Sequence, residues 1–157
     1  MVNQPQYLTE EGMATLEKRL RNLTEVRRPQ VAERLRLSLE EGGELTENAE
    51  YEDAKNEQAF IEAEITRIEG ILRTAELIEE DGTKDEVRIG SRVTVVEKGY
   101  DDDELFHLVG SAEANPREGK ISLESPVGKA LMGAKVGDKV KVKAPDGDFV
   151  YIIREIN

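Results

Sequence analysis

The stretch Gly42-Gly43-Glu44-Leu45-Thr46-Glu47-Asn48-Ala49-Glu50-Tyr51-Glu52-Asp53-Ala54-Lys55 separates two long helical patterns. Seven carboxylates lie between Glu40 and Asp53, with no Lys or Arg among them. A second helix that starts near Thr46 projects Glu44 and Glu47, three residues apart, from the same end of the structure. Two carboxylates at the tip of a long hairpin can be carried to a metal that another protein holds. The bland alternative is that acids near a helix N-terminus merely suit the helix dipole.

Outward from that tip, both flanks read as helix. On the N-terminal side Thr9 can cap a helix whose first turn holds Glu10 and Glu11. Apolar residues recur at Met13, Leu16, Leu20 and Leu23, then by fours at Val31, Leu35 and Leu39. Pro29 predicts a kink or local break, and Gly42-Gly43 ends the pattern after Glu41. On the C-terminal side Tyr51, Ala54, Gln58, Ile61, Ile65, Ile68, Leu72 and Ala75 make an a/d heptad stripe. Helices joined by so short a connection are antiparallel neighbours. Lys18 to Arg36 also carries seven bases (Lys18, Arg19, Arg21, Arg27, Arg28, Arg34, Arg36). A basic shaft therefore leads to an acidic tip.

Residues 1 to 8 read as a short lead-in. The polar run Glu79 to Glu86 breaks both periods and places a domain boundary near residue 80, dividing 1–80 from 81–157. Beyond it the period is two. Strands are expected at Arg92–Glu97, Leu105–Val109, Ile121–Leu123, Lys139–Lys143 and Phe149–Ile156. Ser125-Pro126 opens a short helix that closes at Gly133. The expected class is α+β: an N-terminal antiparallel coiled coil, then a small antiparallel sheet with one short helix.

Composition narrows the function. Net charge is −12 over 157 residues, which argues against general coating of nucleic acid. No cysteine is present, so thiolate metal sites, disulfides and thiol nucleophiles are excluded. No apolar run approaches the roughly 18 residues that a spanning helix needs, and the N-terminal residues lack the pattern of a signal peptide. A soluble cytoplasmic protein is expected. Glu44 and Glu47 are hard oxygen ligands of the kind Mg²⁺ takes, but two carboxylates do not hold it alone. Shared with another protein's active centre, they fit a metal that activates water for phosphodiester hydrolysis. Tyr51 either packs across the helix pair or orients Glu47. The arginine row is either a solvated face or a guide for nucleic acid. Asp101-Asp102-Asp103-Glu104 reads as a solvated turn. His107 reads as a structural residue, and Lys139, Lys141 and Lys143 as the outer face of a strand.

Several motifs together resemble one family. They are Arg27-Arg28-Pro29, Gly43-Glu-Leu-Thr-Glu-Asn-Ala-Glu-Tyr51, Ala54-Lys55 with Glu57-Gln58, and Ile121-Ser-Leu-Glu-Ser-Pro-Val-Gly128. Over essentially the whole chain they resemble the bacterial transcript cleavage factors of the GreA type, the GreA/GreB family. The resemblance implies a coiled coil followed by a domain similar to the FKBP type. That domain would dock at the rim of the RNA polymerase secondary channel through Glu124, Ser125 and Pro126. The coiled coil would pass down the channel, where Glu44 and Glu47, supported by Asn48 and Tyr51, would hold Mg²⁺ shared with the polymerase. The outcome would be stimulated cleavage of backtracked RNA by the polymerase itself, so the chain would be a cofactor and not an enzyme. A monomer is expected, with Arg19, Arg27, Arg28, Arg34 and Arg36 near the nascent RNA 3′ end. Two tip features depart from the family pattern: Glu44 stands where Asp is usual, and Gly42-Gly43 where one Gly is usual. Glu124 stands where Asp or Asn is commoner.

Three other readings compete. A channel-plugging inhibitor of the same fold would bind polymerase without stimulating cleavage. A prolyl isomerase would need an aromatic-lined apolar pocket, and only Tyr100, Phe106, Phe149 and Tyr151 are available in this half. A plain coiled-coil scaffold would need no acidic tip.

Overall fold

Helical spacing governs the first half of the chain, and the backbone follows it. The structure, a computed structural model, describes residues 5–41, 48–79 and 84–157. It is α+β and divides into two units: residues 13–74, and the described residues of 5–12 and 75–157. Thr9 caps helix α1 (Glu10–Asn22) as expected, its hydroxyl accepting the Gly12 N–H at 2.9 Å. A π-turn at Leu23–Arg27 precedes helix α2 (Arg28–Glu41). The break expected at Pro29 takes this form. Proline lacks an N–H and crowds the carbonyl four residues back, and a wider turn relieves that crowding.

The inward stripe differs beyond that turn. Leu16, Leu23 and Val31 are buried, but Leu39 is 49% exposed and Ser38, at 7%, takes the inward position. Steps of four overshoot a turn of 3.6 residues, so two in succession drift off the face. Helix α3 (Ala49–Arg73) buries Ala54, Ile61, Ile65 and Ile68 and half-buries Tyr51, Gln58 and Leu72, which is the heptad stripe. It begins at Ala49 and not near Thr46, because Asn48 is its cap. Ion pairs show the helices to be antiparallel. As the arginine advances through 19, 27 and 34, its glutamate partner retreats through 64, 57 and 50.

In the other unit, strand β1 (Gln6–Leu8) pairs in parallel with strand β2 (Ala75–Leu77). Two expectations are corrected here. Residues 6–8 are a strand and not a lead-in, and Ala75 leaves the heptad stripe to enter one. Residues 5–12 and 75–79 therefore associate with the sheet unit, whereas the expected division near residue 80 grouped them with the hairpin.

The larger sheet has the order β5-β4-β3-β7-β6, with β3 (Arg92–Glu97), β4 (Asp103–Val109), β5 (Lys120–Ser122), β6 (Lys139–Ala144) and β7 (Gly147–Ile156). All its ladders are antiparallel except β4–β5, which is parallel. A fully antiparallel sheet was expected. The connection through the 3₁₀ turn Pro116–Glu118 is long enough to bring the chain back in the same direction. A register shift between Thr94 and Val95 opposes β7, and it lets both Val95 and Val96 be buried. Val93, Val95, Leu108, Val142 and Ile153 form the centre of the core, closed by Leu131 of helix α4 (Pro126–Leu131).

Tyr151 is 7% exposed in this core, and the Phe106 and Phe149 rings meet it edge-on at 5.6 and 5.0 Å. Burial, then the nearby Glu104 carboxylate that accepts its O–H at 3.4 Å, pushes the phenol up to about 12. The folded chain holds this proton more tightly than the unfolded chain does. Its contribution to stability is therefore whole below pH 10 and is lost as pH rises toward 12. Phenolate absorbance during alkaline titration should show one late component, and Tyr151→Phe should remove it.

Candidate functional site

The tip acids Glu44 and Glu47 lie outside the described residues. What is described is the pair of helix ends that flank them, and one side chain joins those ends. Asn48 is 9% exposed. Its Oδ1 accepts the Tyr51 N–H at 3.1 Å, capping α3, while its Nδ2 donates to the Ser38 carbonyl at 2.7 Å on α2. The amide is suited to this because it offers an acceptor and a donor at once. Aspartate would cap the helix equally well but would present no donor to Ser38. Ser38 turns its own hydroxyl onto the Leu35 carbonyl at 2.8 Å. Asn48 was expected to support the tip, and Ser38 was not foreseen as its partner, since nothing in the spacing marks a serine as inward. Tyr51 is half-buried, with the Lys55 ammonium 6.0 Å from its ring centre.

Below the tip, the arginine row is matched by acids. Arg34 bonds Glu50 at 3.1 Å and Glu57 at 2.6 Å. Arg27 also bonds Glu57, which therefore serves two guanidiniums. Arg28 grips Glu62 with two bonds, at 2.7 and 2.9 Å. Arg19 reaches Glu64 at 3.7 Å, and Arg36 pairs with Glu33 and Glu40 along its own helix. The Arg28 guanidinium holds the Glu62 carboxyl below the usual carboxylate range. Bonding to Glu50 likewise raises the Arg34 guanidinium, with the charge of Glu57 adding to it. Arg28, Arg34, Arg36, Glu33 and Glu62 are exposed, so solvent screens their pairs and each contributes little by itself.

In the sheet unit, Glu124, Ser125 and Pro126 form the entry to α4. Ser125 caps it, accepting the Gly128 N–H at 3.1 Å and donating to the Ser122 carbonyl at 2.7 Å. Pro126 occupies the first helical position, and the Glu124 N–H donates to Ser122 Oγ at 3.1 Å. Glu124 and Pro126 are exposed while Ser125 is half-buried, so the loop presents a carboxylate and a proline ring from a fixed base. Gly128 is required at this base, since a Cβ there would lie 2.0 Å from the Ser122 carbonyl oxygen. Glu124 sits at the rim of two cavities. One, of about 260 Å³, is lined by Tyr7, Gly110 and Leu123 among others. The other, of about 400 Å³, lies against α4 and β6.

Glu113 escaped sequence reading. Its carboxylate accepts the Thr9 N–H at 2.8 Å and the Thr9 hydroxyl at 2.6 Å, across 104 residues. It thereby ties the first turn of α1 to the sheet, a contact that no local pattern announces. His107 lies in β4, half-buried beside Arg92, Glu10 and Glu11. The turn expected over Asp101–Glu104 is shorter than that, because Asp103 and Glu104 open β4 and pair with β3; there Asp103 meets Arg154 at 3.4 Å and Glu104 accepts from Tyr151. Phe106, Phe149 and Tyr151 pack on one another, and Tyr100 is 65% exposed, so these aromatics do not line a common pocket. Among the described residues, no group of three or more His, Asp or Glu side chains is placed to hold a metal ion, and no helix is long and apolar enough to cross a membrane.

Comparison with known proteins covers both units. The family described as "Transcription elongation factor, GreA/GreB, C-term" matches residues 82–157, and "Transcription elongation factor, N-terminal" matches residues 6–77. A transcription elongation factor GreA of Macrococcus caseolyticus (strain JCSC5402) is 51% identical over 153 residues, 97% of this chain and 96% of that protein. Its counterpart in Acetivibrio thermocellus is 48% identical over 155 residues, 98% of this chain and 97% of that protein. Among solved structures, the GreA factor homolog 1 (Gfh1) protein of Thermus thermophilus is 31% identical, with a TM-score of 0.46, covering 98% of this chain and 99% of that one.

Replacing Asn48 with Ala removes the cap, at a cost of about 1 kcal/mol. It also strands the Ser38 carbonyl, so the total loss should be about 2 kcal/mol. Urea unfolding should register it, and hydrogen exchange should quicken at the Tyr51 amide. Asn48→Asp should retain the cap and lose only the link to Ser38.

Proposed function

We propose the following function for this chain, which belongs to the GreA/GreB family of transcription elongation factors: it binds RNA polymerase and stimulates the polymerase's own cleavage of backtracked nascent RNA. The hairpin enters the secondary channel and carries Glu44 and Glu47 to the active centre. The observation that most supports this is the Asn48 link, because Glu47 immediately precedes a residue that is bonded to both helices. A carboxylate next to that anchor starts from a defined point, and placement is what such catalysis requires.

The donor set suits a hard divalent cation: two carboxylates and no nitrogen or sulfur ligand in the tip segment. Mg²⁺ held there jointly with the polymerase supplies the polarisation that turns water into a nucleophile. The chain's own part is to bring negative oxygen ligands to that centre and to keep them in place. Hydrolysis belongs to the polymerase, so the chain is a cofactor and not an enzyme.

Glu124, Ser125 and Pro126 are the docking loop at the channel rim. Ser125 fixes the loop from beneath while Glu124 and Pro126 face outward, as a recognition element needs. The arginine row at 19, 27, 28, 34 and 36 faces the nascent RNA only secondarily. Each guanidinium is already answered by a carboxylate of the same hairpin, which weakens its field at a passing phosphate. One copy acts on one polymerase, in the cytoplasm.

A stalled, backtracked polymerase complex with Mg²⁺ provides the test. The wild type should release short 3′ RNA rapidly, and the Glu44→Gln, Glu47→Gln double variant should lose roughly 100-fold of that stimulation. Both should bind the polymerase with similar affinity. Equal stimulation by the two proteins would refute metal donation by the tip. Slowed elongation by both, without cleavage, would identify a channel plug.

A further inference from the structure

Among the described residues, Glu57 alone answers two arginines from the opposite side of the hairpin, Arg27 and Arg34. Its side chain is only 25% exposed, wedged between two guanidiniums that face solvent more freely. Arg34 also holds Glu50 at 3.1 Å, whereas Arg27 pairs with Glu57 alone among the described residues. On α3, Phe60 lies three residues after Glu57 and four before Glu64, a spacing that sets all three on one flank. Glu64 in turn meets Arg19 at 3.7 Å and Arg67 at 2.9 Å. Phe60 is 60% exposed. A lone exposed ring is ordinary on a surface. This one stands in a row of guanidiniums, on a helix whose apolar stripe turns the other way, and so offers a stacking face among phosphate ligands.

We propose that Arg27, Arg34 and Phe60 form a contact site for a single strand of RNA, and that Glu57 holds it closed, setting how tightly the hairpin grips the nascent RNA. This rests on the function proposed above, which brings the hairpin beside that RNA. A guanidinium presents a planar fork that matches carboxylate and phosphate alike, so Glu57 and a phosphate compete for the same donors. Because Glu57 occupies two forks at once, its single negative charge controls two phosphate ligands. The Phe60 ring adds what the arginines lack, an apolar face that takes any base. An acidic peptide fits less well, since it needs a flat side chain in one fixed register, whereas a single strand carries a base beside every phosphate. Glu62, five residues beyond Glu57, is turned about 140° to the other flank, where it holds Arg28.

Affinity of the full chain is measured for a backtracked complex and for core RNA polymerase without RNA, each across a range of salt. Glu57→Gln should tighten binding to the backtracked complex by about 10-fold, on the scale of one charge-assisted hydrogen bond, and steepen its salt dependence. Binding to RNA-free polymerase should move by less than about 2-fold. Glu62→Gln removes the same charge from the opposite flank and should move neither affinity by more than about 2-fold. Adding Arg27→Gln or Phe60→Leu to Glu57→Gln should reverse most of the gain. Urea unfolding checks the fold. Should Glu57→Gln loosen the hairpin, Glu57→Asp, whose shorter side chain spans the two guanidiniums less well, replaces it and should shift affinity in the same direction. Equal gains from Glu57→Gln and Glu62→Gln, or no gain in a folded variant, would overturn the closed site and leave the proposed function standing. An equal gain on RNA-free polymerase would also overturn it and assign the flank to an acidic segment of the polymerase. A wild type that binds polymerase in neither form would overturn both.

Discussion

A hairpin of two helices has almost no interior, so burial alone holds it weakly and leaves its register open to sliding. The carboxamide of Asn48 addresses that weakness at the end where it matters. It bonds forward to the first turn of its own helix and sideways to the backbone of the other. Because both bonds come from one rigid planar group, the ends of α2 and α3 cannot shift past each other without losing one of them. The paired acids and arginines further down repeat the same register at intervals of about two turns. Each pair is weak, but all agree on one alignment, and a misaligned hairpin would set several like charges against each other.

The sheet unit solves a different problem. Its core is built from short β-branched residues on β3 and β7, with three aromatic rings stacked edge to face at one end. Those rings fill space and do not enclose it, so the only aromatic cluster of the described residues is part of the scaffold. At the margin of this core, Ser125 and Gly128 let the chain approach Ser122 closely while Glu124 and Pro126 stay exposed. A rigid base under a short exposed loop is an economical way to present a small motif.

Much of this was legible in the residues. The heptad from Tyr51 to Leu72, the Thr9 cap, the five strands of the larger sheet and the Ser125 cap all rest on local periodicity or local hydrogen bonding, which sequence records directly. The departures share a cause. The β1–β2 pairing, the parallel β5, the Glu113 clamp on Thr9 and the inward turn of Ser38 all depend on partners distant along the chain. In the candidate site, the helix that opens at Ser125-Pro126 could be read from residue type, whereas the start expected near Thr46 left the cap at Asn48 unread. The neutralisation of the arginine row could not be read either, because it needs the antiparallel register to place Glu50, Glu57, Glu62 and Glu64 opposite.

The parallel pairing of Gln6–Leu8 with Ala75–Leu77 places the entrance and exit of the helical segment side by side. Residues 13–74 are therefore an insertion into the unit whose chain they leave and re-enter. Such an insertion can lengthen or shorten without disturbing its host, provided α2 and α3 change by matching numbers of turns. Reach is thus separable from attachment. Evolution, or an engineer, can adjust the length of the hairpin while leaving the sheet unit untouched.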